Sequence, residues 1–313
     1  MKKAVCVICM ASLLCTALCG CGSFRLISIP VRGSSGAATA YSSGNAEITD
    51  RITDVEVEWA AGSVDIIYAG DKIVLEESAN RALNDENRMA WSVDGTRLVI
   101  KFTKDNVFGS ISFAKALTLT LPEEFRAQSI SVSCASAAMK AEYLSAKRLE
   151  LSSASGKIVV GSIDADDVEI SAASGDVDIA QSGSCGELDI STASGKVFAK
   201  LDEVSELGID TASGKVNVSA NVLGRAGIET ASGGVSLTVF DSFDNTEIET
   251  SSGDVSLMLP KAQGFTAEID TASGELESDL PLALKGGVYV CGDGSARLEI
   301  DTASGDITLG RAK

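Results

Sequence analysis

The chain has 313 residues, with 44 acidic against 26 basic side chains, no histidine and a formal net charge of −18. An acidic body of this kind is repelled by phosphate backbones, and no basic stripe or aromatic platform offsets the charge, so nucleic-acid binding is excluded. The missing histidine removes His-based triads and zinc-hydrolase centres.

The chain opens as an export signal over residues 1–20. Lys2 and Lys3 form a charged start, and Ala4 to Leu18 is an apolar run too short for an ordinary spanning helix. It ends in Leu18-Cys19-Gly20-Cys21, which resembles the bacterial lipobox, with Cys21 as the residue that receives diacylglycerol. Cys19 stands where the lipobox usually has Ala or Ser. Cys15 and Cys19 follow the bulky Leu14 and Leu18 and fit less well as acceptors. The resemblance implies an exported chain, lipid-anchored to the outer face of the bacterial cytoplasmic membrane or the cell envelope. The alternatives are a plain secretory signal or an uncleaved anchor. Residues 21–46, with SGAATAYSSGN, are small and polar, which suits a flexible tether.

Residues 47–130 read as a β-rich capping region. ITDVEVEW, SVDIIYA, KIVLEES, RLVIKFT and ALTLTLP are short alternating runs separated by turn residues. Ala61-Gly62-Ser63 matches a degenerate form of the corner described next.

From 131 to 313 the sequence is periodic. Ser-Gly pairs end at Gly156, Gly175, Gly195, Gly214, Gly233, Gly253, Gly274 and Gly305, at steps of 19, 20, 19, 19, 20, 21 and 31 residues. Four residues before each Ser, from the second pair onward, stands an isoleucine: Ile170, Ile190, Ile209, Ile228, Ile248, Ile269 and Ile300. Three after it stands another aliphatic, as in Val177, Val197, Val216 and Val235. Alternation on both sides of a tight corner predicts two half-buried strands per repeat. Two strands are too few for a propeller blade, and no 3.6-residue period supports a helical solenoid. The expected fold is therefore all-β: a single-stranded β-solenoid of ~20-residue coils, stacked at ~4.8 Å, with an irregular β N-terminal cap. Glycine in every corner predicts positive φ there. The longer last step, with its extra residues at Gly286 to Gly294, predicts a protruding hairpin or a cap.

Five of the eight cysteines lie in the signal. Cys134, Cys185 and Cys291 occupy different phases of the repeat, so no column pairs them, and they read as buried small hydrophobes.

The order of lipobox, irregular β segment, LTLTLP strand, I-x-T-x-S-G-x-V coils and a final GDGSARLEIDTASGDITL coil resembles the bacterial putative-adhesin family of cell-envelope proteins. The resemblance spans roughly residues 50–311 and makes the chain a lipoprotein member of that family. It implies an exported envelope β-solenoid, and the family supplies no catalytic motif to carry over.

One column stands out as a site. Three residues before the Ser are Asp210, Glu229, Glu249, Asp270 and Asp301, with Ser171 and Ser191 in earlier coils. If the flanking isoleucines point inward, these carboxylates point outward about 5 Å apart. They read either as a calcium stripe, Ca²⁺ being the one cofactor the sequence suggests, or as a solvated face that keeps the protein soluble. The Thr column two before the Ser shares the inward parity and lies at the edge of the core, which argues against an ice-binding surface. A polysaccharide-active enzyme needs acids clustered locally, whereas these are periodic. The sequence thus supports a non-catalytic binding or scaffold protein with a cell-wall polymer or envelope protein as partner. An accessory of envelope-stress signalling is the alternative.

Overall fold

The computed structural model describes residues 41–104 and 113–313. The expected export signal, the lipidation residue Cys21 and tether residues 22–40 lie outside the described residues. Within residues 41–46, expected as the end of the tether, Ser42–Ser43 and Ala46 already belong to the sheet. Ser42–Ser43 pairs antiparallel with Ala90–Trp91, and Ala46–Ile48 with Ile73–Leu75.

A typical coil is one long strand and one corner. Val197–Thr211 buries Val197, Ala199, Leu201, Val204, Leu207, Ile209 and Thr211. Strict alternation holds at both ends and breaks on either side of Val204, where two outward residues follow one another. A pleated strand keeps one face inward only by alternating, so each break marks a bend in the coil. The corner Ala212–Lys215 then leads into the next strand, Val216–Thr230.

Coils pair in parallel, residue on equivalent residue. Ile170 lies beside Ile190, then Ile209, Ile228 and Ile248. Val177 lies beside Val197, then Val216, Val235 and Val255. These side chains are at most 2% exposed. Each contributes roughly 1.5–3 kcal/mol by leaving water, and the stack shares one continuous core.

The corners correct the sequence reading. None of the eight corner glycines has positive φ. They are glycine because backbones approach too closely for a side chain: a Cβ on Gly195, Gly214, Gly233 or Gly253 would overlap the carbonyl oxygen of the corner glycine one coil before. Each corner is also closed by the Thr column. The amides of Gly195, Gly214, Gly233, Gly253, Gly274 and Gly305 donate to Thr192, Thr211, Thr230, Thr250, Thr271 and Thr302 at 2.8–3.0 Å.

Chain order and stacking order part at both ends. Near the C-terminus, Asn245–Thr250 pairs with Arg297–Thr302, and Phe265–Thr271 lies outside that strand. Likewise Val255–Leu259 pairs with Ile307–Arg311, and Leu276–Ser278 lies beyond it. The final coil is therefore inserted one rung inside its predecessor. The extra residues of the last step form the hairpin Ala283–Lys285 and Val288–Cys291, whose Gly286 and Gly287 turn at φ 61° and 94°, and which pairs antiparallel onto Phe265–Ala267.

The parallel ladder also runs through the 47–130 segment. Asp54–Trp59 pairs with Ala127–Cys134, and Gly62–Tyr68 pairs with Ala138–Ala141. Arg97–Lys101 and Lys115–Leu121 form a further rung outside them. Gly62 is a corner of the same kind, its Cβ position occupied by backbone of Lys115, although here φ is positive at 108°. Antiparallel strands Ile73–Ala79 and Ala90–Asp94 close this end.

Candidate functional site

The strand segment that precedes each corner carries the acids. Because Ile190, Ile209, Ile228 and Ile248 are inward, the residues on either side of them point out. The expected column is unbroken, but in stacking order it runs Asp210, Glu229, Glu249, Asp301, Asp270. The inserted coil places Asp301 between Glu249 and Asp270. Two residues earlier runs a parallel column that sequence reading missed: Glu169, Asp189, Gly208, Gly227, Glu247, Glu299 and Glu268. Its signal was present in the Asp or Glu five before every corner Ser except Ser213 and Ser232. The two glycines interrupted it, so only the column with no gap in the last five coils stood out.

Together these columns make one crowded carboxylate face. Partial burial raises the carboxyl pKa of Asp189, Asp210, Glu229, Glu249 and Asp301. Like charge adds to it: Asp210 acts on Asp189 and Glu229, Glu229 on Glu249, and Asp270 on Asp301. Arginines relieve the ends. Arg148 reaches Glu150 and Asp167, each at 2.9 Å, and Arg297 reaches Glu299 at 2.8 Å. Midway, Gly208 and Gly227 leave the backbone bare; the Asp189 carboxylate lies across Gly208, while the space above Gly227 is open.

The face does not converge on a point. Among the described residues no group of three Cys, Asp or Glu is placed to hold a metal ion. A parallel sheet spreads its outward side chains on a lattice, whereas a calcium centre needs six to eight oxygens turned toward one ion.

Other expected residues fall elsewhere. Cys134, Cys185 and Cys291 are free and buried. Burial pushes the Cys134 thiol up to about 12 and that of Cys185 to about 11, which leaves both unreactive near neutrality. A cleft of about 260 Å³ lies beside Phe240, Pro260, Lys261 and Ala312. It is smaller than the roughly 300–1,000 Å³ typical of small-molecule pockets.

A buried ion pair in the N-terminal rungs escaped sequence reading. Lys115 Nζ, fully buried, lies 3.0 Å from Glu77, donates to the Asn87 carbonyl at 2.9 Å and to that of Phe102, and faces the Phe102 ring at 4.4 Å. Burial pulls the Lys115 pKa down and Glu77 opposes that shift. The sequence signal is a lysine at the inward parity of Leu117, Leu119 and Leu121. Its neighbours explain it as a structural link between the outer rung and the antiparallel cap.

These features define a class: a parallel β-solenoid with Ser-Gly corners and one acidic sheet face. The chain belongs to the Toastrack DUF4097 family, whose model matches residues 45–310. No curated protein matches the chain. Among solved structures, a protein from Parabacteroides distasonis described as a "putative lipid binding protein" is 14% identical, with a TM-score of 0.52 over 85% of this chain and 96% of its own. A "putative adhesin" from Bacteroides fragilis is 11% identical, covering 87% and 98% of the two chains, with a TM-score of 0.36. A "putative cell adhesion protein" from Clostridium sporogenes is 10% identical, covering 87% and 100%, with a TM-score of 0.24.

Proposed function

We propose that this protein is an exported, lipid-anchored envelope scaffold that binds, without catalysis, through its acidic sheet face. The observation that carries the reading is the face itself. One outward column of carboxylates runs unbroken from Asp210 to Asp270 and a second, interrupted at Gly208 and Gly227, runs beside it, and the like charge along this side of the stack favours a partner that compensates it. An extended array of equivalent groups at ~4.8 Å spacing suits a repeating partner, such as a cell-wall polymer carrying amines or bridging cations, better than one compact ligand. The periodic acids also speak against turnover, since cleavage of a glycosidic bond needs one acid and one base with different environments. The lipobox-like Leu18 to Cys21 supports attachment at Cys21.

The test is calorimetric titration of residues 22–313, at physiological salt, with calcium and then with purified cell-wall material. Saturable binding weakened by Glu229→Gln with Glu249→Gln is expected. Absence of heat with both ligands would reject the acidic face as a binding surface and direct the search to membrane proteins. Anchoring is tested separately: Cys21→Ser is expected to release the chain from membranes.

A further inference from the structure

The two ends of the stack are finished differently. At the N-terminal end antiparallel strands cover the last parallel rung, and Leu75, Leu98, Ile100 and Phe102 are fully buried. At the other end the last rung is Phe265–Thr271 with Leu276–Ser278. The closing hairpin pairs only with Phe265–Ala267. No described strand pairs with the outer edge of Glu268–Thr271 or of Leu276–Ser278. Ile269 and Leu276 end the two aliphatic columns and remain partly exposed, whereas Ile300 and Ile307, one rung inside, are fully buried. Backbone donors and acceptors and two apolar column ends are thus left waiting for one more rung.

We propose that this edge accepts an extended basic segment of a partner protein as an added strand, with alternate aliphatic side chains continuing the Ile269 and Leu276 columns. Charge selects the occupant. Glu268, Asp270, Glu275, Glu277 and Asp279 surround the edge and are all exposed. A second copy of this chain would bring the same acids against them. A strand alternating aliphatic residues with Lys or Arg places cations beside Glu268 and Asp270 while its backbone completes the ladder. The proposal concerns the end of the stack, where the two acidic columns terminate at Glu268 and Asp270; it needs the open backbone edge there and not the lateral face between Asp210 and Glu249.

The probe is a fluorescent peptide of about ten residues alternating valine and lysine, titrated against the full chain at physiological salt and read by anisotropy. Saturable binding is expected, with slowed amide exchange at 268–271 and 276–278. N-methylation of alternate peptide amides is expected to weaken binding roughly tenfold or more, because it removes ladder donors and keeps the charge. Glu268→Lys with Asp270→Lys is expected to cause a similar loss and to admit the valine–glutamate peptide instead. Glu86→Lys with Asp94→Lys, the same charge change on exposed sites in the N-terminal part, is expected to leave binding within about twofold. Equal binding of the N-methylated peptide would reduce the effect to general attraction by an acidic chain and overturn the proposal. So would absence of binding, or self-association that protects the same amides without peptide.

Discussion

The carbonyl oxygen of Gly195 occupies the space that a side chain on Gly214 would need. This relationship repeats along the corner, from Gly175 under Gly195 to Gly305 under Gly274. It ties the serine-glycine repeat to the spacing between coils and leaves no role for unusual backbone angles. Gly214→Ala is therefore expected to cost about 3 kcal/mol or more, since backbone on both sides must move. Gly227→Ala, in an outward position with open space, is expected to be neutral or slightly stabilising. Thermal unfolding of the two variants compares them directly. Equal effects would remove the close approach as the reason for glycine.

The Thr column acts on the same corners from inside. Thr230 is 6% exposed and its hydroxyl accepts from the Gly233 amide at 2.8 Å. Thr230→Val keeps the shape and leaves that amide without its partner, so a loss of about 1–2 kcal/mol is expected in denaturant titration. Thr230→Ser keeps the acceptor and is expected to recover part of it.

The acidic face sets the pH dependence. Asp189, Asp210, Glu229, Glu249 and Asp301 have folded-state pKa values above the ordinary 3.8 of Asp and 4.5 of Glu. The folded protein binds these protons more readily than the unfolded chain. Their contribution to stability therefore falls as pH rises through that window, and the penalty is complete above the folded values. The melting temperature is expected to rise on acidification from neutral pH toward the ordinary carboxylate range, and on addition of salt at neutral pH. Glu229→Gln with Glu249→Gln is expected to raise it at neutral pH and flatten the profile. A melting temperature that falls steadily on acidification would contradict this account of the face.

The inserted coil places Ala296–Thr302 and Ile307–Arg311 between neighbouring strands of the stack. Deleting residues 295–313 removes the strands Ala296–Thr302 and Ile307–Arg311, and uncovers Asn245–Thr250 and Val255–Leu259. Hydrogen exchange at 245–250 and 255–259 is expected to accelerate strongly, with a lower melting temperature. Replacing the hairpin 283–291 by a Gly-Ser linker of equal length is expected to leave those amides protected.

Lys115 and Glu77 are both buried. Lys115→Met leaves the Glu77 carboxylate, which also accepts from the Met89 amide at 2.8 Å, without its counter-charge. A loss of about 3–5 kcal/mol is expected. Adding Glu77→Gln is expected to restore part of it in the same denaturant titration.

The solenoid, its corners and the inward Ile, Val and Thr columns were legible in the sequence because each follows from local alternation and a short period. That signal repeats in every coil, so one irregular copy does not hide it. The acidic column at Asp210 and Glu229 was legible for the same reason. Its neighbour through Asp189 and Glu247 was harder to see, because Gly208 and Gly227 break it. The reason for the corner glycines was not legible, since a close approach between residues nineteen or more positions apart leaves no local mark distinct from a demand for positive φ.

By itself, the sequence determined the period, the inward and outward sides of each strand and the chemistry of each column, all consequences of residue type and spacing two. Tertiary structure alone decided which coil lies beside which. Arg297–Thr302 and Phe265–Thr271 carry nearly the same pattern, so either could pair with Asn245–Thr250. In the fold the hairpin lies back on Phe265–Ala267, Asp301 lies next to Glu249, and Glu268–Thr271 is left as the open edge. Repeats that are interchangeable in sequence become distinct through the long-range contacts that close the ends.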